Sequence, residues 1–265
     1  MKIYGISDDE NGLSIGTLLY YEKEHSCVIE LKEDLDEWTA PLLFTGYVRE
    51  GIYTIPRDVS YLWVKERVIP HSRQNIGSIL SHHRMKSYDE MRFLEISGGR
   101  CSQDSLSVSR LEQVPGYVEQ RMRRNLRECI PLESYTLLCF FADDTVRKID
   151  LNMLDKVKDM DKVIRNQLLY ASCSVGPGGY SAVFNDAIDV PAALLYSSGV
   201  AVPLRPDDFA VYVRNNIIDT AESCNILQCS RQNLSYLVKQ GQLSPIKKDV
   251  KGNLYLRGDV LGSRW

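Results

Sequence analysis

Residues 219–260 read DTAESCNILQCSRQNLSYLVKQGQLSPIKKDVKGNLYLRGDV, and this stretch carries the clearest local grammar in the chain. Asp219 followed three residues later by Glu222 is a capping-box pair that opens a helix, with Ala221, Cys224 and Leu227 as its apolar face. That helix stops at Gln228-Cys229-Ser230. Ser230 is the cap of a second helix, RQNLSYLVKQ, which Gly241 ends as a C′ glycine. Two short helices joined by a turn of about three residues make a helix-turn-helix.

The second helix predicts two faces. Leu234, Leu237 and Val238 recur at i, i+3 and i+4 and turn toward the first helix. Arg231, Gln232, Asn233, Tyr236 and Lys239 are left pointing out, with the guanidinium and amides at the N-terminal end. Arg pairs with guanine and Gln or Asn with adenine in a major groove, while Ser230 and the free amides of the helix start suit a phosphate. Beyond Gly241 the pattern is a β-hairpin with Lys247, Lys248, Lys251 and Asn253 near its turn, placed to touch a DNA backbone.

The order of these features resembles the excisionase-like and MerR-like winged helix-turn-helix domains: Glu in a short first helix, Ser opening the second, Gly-x-Leu after it, and a hairpin running to Asp259-Val260. The resemblance covers about the last 45 residues. It departs at Ser223-Cys224, where the family often has two alanines. It implies binding to double-stranded DNA, with a homodimer reading paired half-sites.

Charge is distributed to match. The net charge is −3, yet residues 219–265 hold seven cations against four anions, +3, which leaves −6 on the rest. A basic tail on an acidic body assigns the two parts different partners. The chain has 265 residues with 44% hydrophobic and 25% charged, an ordinary globular composition with room for two or three cores.

Patterning divides the chain into three blocks, 1–130, 131–206 and 207–265, and predicts a multidomain α+β protein: small N-terminal α/β domains followed by the winged helix-turn-helix. The first block opens with strand runs, LSIGTLLYYEK and SCVIELK. Helices follow: one capped by Ser72 over SRQNIGSILSHHRM, one over YDEMRFLEIS stopped by Gly98-Gly99, and a basic one over QRMRRNLREC whose arginines lie on a solvated face. The second block alternates as hairpins, YTLLCFF-ADD-TVRKIDL and then ASCSVGPGGYSAVFNDAIDV, and closes with the helix VPAALLYSSG.

The second block, through FFADDTVRKIDLNML and DVPAALLYSSG, resembles domain of unknown function 2442. That likeness implies a small α+β domain that occurs beside toxin–antitoxin genes. The first block, through Arg67, Ile69-Pro70, Arg73 and GRCSQDS, is similar to an N-terminal segment of HipA-type toxin kinases, but it lacks a nucleotide and metal apparatus and is expected to recognise a partner instead of transferring phosphate.

Enzymatic apparatus is not legible. There is no G-x-x-x-x-G-K-[ST] loop, no Asp-Phe-Gly, and no serine or cysteine beside a recognisable base, so the chain is read as a non-enzyme without a cofactor. Seven scattered cysteines never form C-x-x-C, and His82-His83 has no close cysteine, so neither a disulfide framework nor a metal site is expected. The acidic MKIYGISDDENG is no signal peptide and no apolar run spans a bilayer, which places the protein in a bacterial cytoplasm with no membrane partner. The expected function is a DNA-binding transcriptional regulator or accessory factor. The alternatives are an antitoxin-like module that binds a toxin or other protein partner, or an excisionase-like architectural factor.

Overall fold

The computed structural model describes residues 1–155, 157–250, 252–256 and 260, with the side chains of residues 212, 215, 249, 250 and 256 left aside. The chain is mixed α+β with several antiparallel sheets. It divides into two compact units, Met1–Asp143 with Arg147–Val200, and Asp144–Val146 with Ala201–Trp265.

In the first unit, β1 (Lys2–Asp8), β2 (Ser14–Tyr21) and β3 (Ser26–Leu31) form an antiparallel meander. Helix α1 (Thr45–Arg49), β4 (Thr54–Ile55) and three helices, α2 (Arg57–Lys65), α3 (Ile76–His82) and α4 (Glu90–Ser97), follow before β5 (Leu106–Leu111). The sheet order is β4-β3-β2-β1-β5. One face buries Ile6, Leu18, Ile29 and Leu31 against Phe44, Trp63, Val64 and Leu94. Between sheet and helix, Ser60 accepts from the Ile29 amide at 3.0 Å and donates to the Ile55 carbonyl at 3.1 Å, which satisfies a buried hydroxyl twice.

The expected cap at Ser72 is corrected. Arg73 N–H closes a turn on the Pro70 carbonyl, so α3 starts three residues later, with Asn75 at its N-cap. Helix α4 ends where the sequence predicts, because Gly98 takes the left-handed conformation at φ 60° that a side chain would resist.

Helix α5 (Gly116–Met122) covers the other face of the first sheet, where the Tyr117 hydroxyl meets Thr17 Oγ1 at 2.8 Å. The basic helix expected across 120–129 is shorter than that: it stops at Met122, and Leu126–Pro131 is strand β6. Its cross-strand partner β7 (Thr136–Phe141) alternates apolar residues into a second core and outcompetes helix propensity over LREC. Arg123, Arg124 and Arg127 are exposed, as a solvated face requires, and Arg121 is the exception. Arg121 is mostly buried and pairs with Glu30 and Glu33, and Arg124 stacks on the Tyr196 ring.

Strand β8 (Val146–Asp150) extends this second sheet. Helices α6 (Met160–Arg165) and α7 (Gln167–Ala171) lead to β9 (Cys173–Val175), β10 (Ser181–Phe184) and β11 (Ile188–Pro191), a three-stranded antiparallel sheet, and to α8 (Ala192–Ser198). Phe141, Ile149, Leu151, Tyr170, Phe184 and Leu195 centre the second core. The two cores of this unit are clamped by Arg57, whose Nε and Nη2 grip the Asp189 carboxylate at 2.7 and 3.0 Å while Nη1 reaches Asp186 at 2.7 Å. A bidentate fork of this kind fixes orientation as well as distance.

The resemblance quoted for the first block meets a structural fact here. Arg67, 5% exposed, pairs with Asp104 and lies 3.9 Å over the Trp63 ring, so it locks the segment 99–105 onto α2.

After β12 (Val200–Val202), the second unit comprises α9 (Pro206–Asn216), β13 (Ile217–Ile218), α10 (Thr220–Leu227), α11 (Arg231–Lys239) and the hairpin β14 (Lys247–Val250) and β15 (Gly252–Leu256). Its small sheet is ordered β13-β15-β14, with Ile218 opposite Tyr255. Ile218, Leu234, Leu243, Tyr255 and Val260 are its core. Among the described residues no helix is long and apolar enough to cross a membrane.

Candidate nucleic-acid interface

The second unit's two short helices are set by their caps. Asp219 Oδ1 accepts from the Glu222 amide at 2.8 Å, and the Glu222 carboxylate accepts from the Asp219 amide at 3.2 Å. This reciprocal pair satisfies two of the donors that a helix start leaves open. It also fixes the rotation of α10. Ser223, not Ala221, faces the core; Ala221 lies about 200° round the helix from it and is exposed, which corrects the expected apolar face at that one position, while Cys224 and Leu227 pack against the core. The buried Ser223 hydroxyl donates to the Asp219 carbonyl at 2.7 Å, so the polar group in the place of an alanine is satisfied.

Helix α10 ends in a Schellman arrangement. The Cys229 amide donates to the Cys224 carbonyl at 3.0 Å and the Gln228 amide to Asn225 at 3.3 Å, with Gln228 left-handed at φ 51°. Ser230 then caps α11 by accepting from the Asn233 amide at 3.3 Å. Helix α11 closes in the same way, with Gln242 N–H on the Leu237 carbonyl at 3.0 Å and Gly241 N–H on Val238 at 3.1 Å. Gly241 sits at φ +72°, where a side chain is disfavoured.

The hairpin is tied to the first helix rather than left loose. The Asn253 amide donates to Thr220 Oγ1 at 3.3 Å, that hydroxyl donates to the Asn253 carbonyl at 3.4 Å, and the Asn253 side chain donates to the Tyr255 hydroxyl at 3.3 Å. Thr220 carries no signal of this in the sequence, because its partner lies 33 residues on.

Against this frame the expected contact residues fall into four groups. Ser230, Arg231, Gln232, Asn233, Tyr236 and Lys239 are all exposed on α11, whose opposite side buries Leu234. Lys247 and Lys248 are exposed on β14. Lys251 lies outside the described residues. Asn253 is half-buried and spends its amide inside the module, so it is not presented as the others are.

Electrostatics separates the two helix starts. The N-terminus of α10 is neutralised by its own Asp219 and Glu222, whereas the first turn of α11 holds no acidic residue and offers Arg231 instead. A helix N-terminus carries roughly half a positive charge, so an uncompensated one attracts anions. Among the described residues Arg231, Lys239, Lys247 and Lys248 make no ion pair.

Burial, with Cys224 beside it, pushes the Cys229 thiol above its ordinary value. Among the described residues no cluster of three His, Cys, Asp or Glu side chains could hold a metal ion. No known protein family, curated protein or solved structure matches the chain.

Proposed function

We propose that the chain is a DNA-binding regulator or accessory factor and that its second unit acts as a winged helix-turn-helix. The observation that carries this reading is the first turn of α11, where Ser230, Arg231, Gln232 and Asn233 stand exposed together with no acidic neighbour in the turn. In this role α11 is the recognition helix. Its nine residues span about 14 Å, which suits a major groove about 12 Å wide. Arg231 and Gln232 read base edges, Ser230 and the open amides hold a phosphate, and Lys239, Lys247 and Lys248 lie against the backbone.

One module offers few base contacts, so two copies on half-sites about 34 Å apart are the expected functional form. With Lys239, Lys247 and Lys248 each meeting a phosphate, log K should fall with log salt at a slope of about −3 per module.

Selection of duplex fragments by the purified full chain, followed by anisotropy titration at several salt concentrations, tests the proposal. A recovered motif whose binding weakens more than tenfold in Arg231→Ala with Gln232→Ala supports it. Salt-independent binding, or affinity indifferent to both substitutions, overturns it.

A further inference from the structure

The first unit presents an unusual pair of apolar side chains. Residues 32–44 leave β3 and enter α1, anchored at each end by Leu35 and Phe44, which are 6% and 0% exposed in the first core. Between these anchors Trp38 is 85% exposed and Leu42 93% exposed. The loop that carries them is built to hold them out. Asp36 Oδ1 accepts from the Trp38 amide at 2.9 Å, the Thr39 amide at 2.9 Å and the Thr39 hydroxyl at 2.8 Å, while the Asp36 amide donates to Thr39 Oγ1 at 2.9 Å. Ala40 N–H closes on the Asp36 carbonyl at 3.0 Å and Phe44 N–H on the Pro41 carbonyl at 2.7 Å. These bonds to Asp36 draw its carboxyl below its ordinary value, so the charge that organises the loop persists at neutral pH.

A large aromatic and a leucine fixed outside the core expose apolar area that folding would otherwise remove from water. Large apolar side chains held exposed in an ordered loop suit an interaction site, and tryptophan is enriched among the residues that dominate interface energetics. The loop has already met the ordering cost that binding would otherwise impose.

Charge selects the partner. Between Glu33 and Glu50 the chain carries five carboxylates and one cation, Arg49. Arg49 is engaged by Glu37 at 3.0 Å and Glu33 by Arg121 at 3.1 Å, while among the described residues Asp34 and Glu50 make no ion pair. The net negative charge of this segment repels nucleic acid and anionic lipid and attracts cations.

We propose that the Trp38–Leu42 loop is the docking site for a polypeptide segment of another protein, one that supplies an apolar anchor flanked by lysines or arginines. The proposal stands independently of the DNA-binding reading of the second unit.

Selection from a displayed library of random peptides against the full chain, with the enriched peptides then synthesised and titrated, tests it. Enriched sequences should place a bulky apolar residue between basic ones. They should bind about tenfold more weakly to Trp38→Ala and to Leu42→Ala, at unchanged melting temperature. Asp34→Lys, at an exposed site, should weaken the same peptides and flatten their salt dependence. Enrichment of acidic or neutral peptides, or affinities indifferent to Trp38→Ala and Leu42→Ala, overturns the proposal. So does a dimer in sedimentation that Trp38→Ala dissociates, which would assign the loop to a second copy. Binding of phosphatidylserine vesicles that Trp38→Ala abolishes would likewise overturn it, in favour of a lipid surface.

Discussion

Arg121 Nη1 donates to Glu30 Oε2 at 2.7 Å, and the carboxylate it reaches is wholly buried in the middle of β3. Thr54 Oγ1 donates to the same oxygen at 2.9 Å, while Oε1 and the hydroxyls of Tyr21 and Tyr180 are buried from solvent. Burial pushes the Glu30 carboxyl above the usual carboxylate range, against the opposing pull of the Arg121 guanidinium. The folded chain therefore holds this proton more tightly than the unfolded one. Stability from the group is fully present below the ordinary carboxylate value and is lost as pH rises through the folded value. Glu30→Gln keeps acceptors for Arg121 and Thr54 and adds a donor beside the Tyr180 hydroxyl, so it should remove that slope in denaturant titrations across pH. Glu30→Ala leaves a hole beside Arg121 and should cost about 3 kcal/mol. Equal losses in the two variants would show that the charge, not the shape, is what the site needs.

Gln228 turns α10 into the three-residue link with a left-handed backbone at φ 51°. A non-glycine residue there costs about 1–2 kcal/mol, partly offset by the greater freedom that glycine has in the unfolded chain. Gln228→Gly should raise stability by about 0.5 kcal/mol, and Gln228→Val should lower it by more. Thermal melting of the full chain reads both, and a glycine variant that melts lower would contradict the strain.

Much of the second unit was legible because its information is short-range. Asp219 with Glu222, Ser230 and Gly241 act within four residues of where they stand, and each makes the cap its spacing predicts. The first unit was less legible because its decisive contacts are distant. Strand β1, hidden in the acidic opening segment, finds β5 about a hundred residues on, and Arg57 finds Asp189 132 residues away. Alternation shows that one face of a strand is apolar, but not that a second layer will cover the other. That is why Glu30, one glutamate in SCVIELK, reads as solvent-facing and lies buried beneath α5.

Asn253 was expected at the DNA surface, yet its side chain donates to Tyr255 and its backbone brackets Thr220. Asn253→Ala should therefore act first on stability, by about 1 kcal/mol for the one lost side-chain hydrogen bond. Its effect on DNA affinity, extrapolated to conditions where the module is fully folded, should be within a factor of about two or three. A tenfold affinity loss without loss of stability would return this residue to the interface.

Lys247 and Lys248 on β14 and Arg231 on α11 should separate cleanly, because the proposed contacts differ in kind. A lysine against a phosphate releases a condensed counterion whatever the sequence beneath it, so each lysine replaced by alanine should reduce the salt slope by about 0.9. Its cost should be the same on the selected motif and on unrelated duplex. Arg231 at a base edge should cost about 1–3 kcal/mol on the motif and relax the preference at one position, with less effect on unrelated DNA. Titration of all three variants on both duplexes at several salt concentrations makes the comparison. If Arg231→Ala weakens both duplexes alike while the lysine variants change sequence preference, then the hairpin reads the bases and α11 grips the backbone.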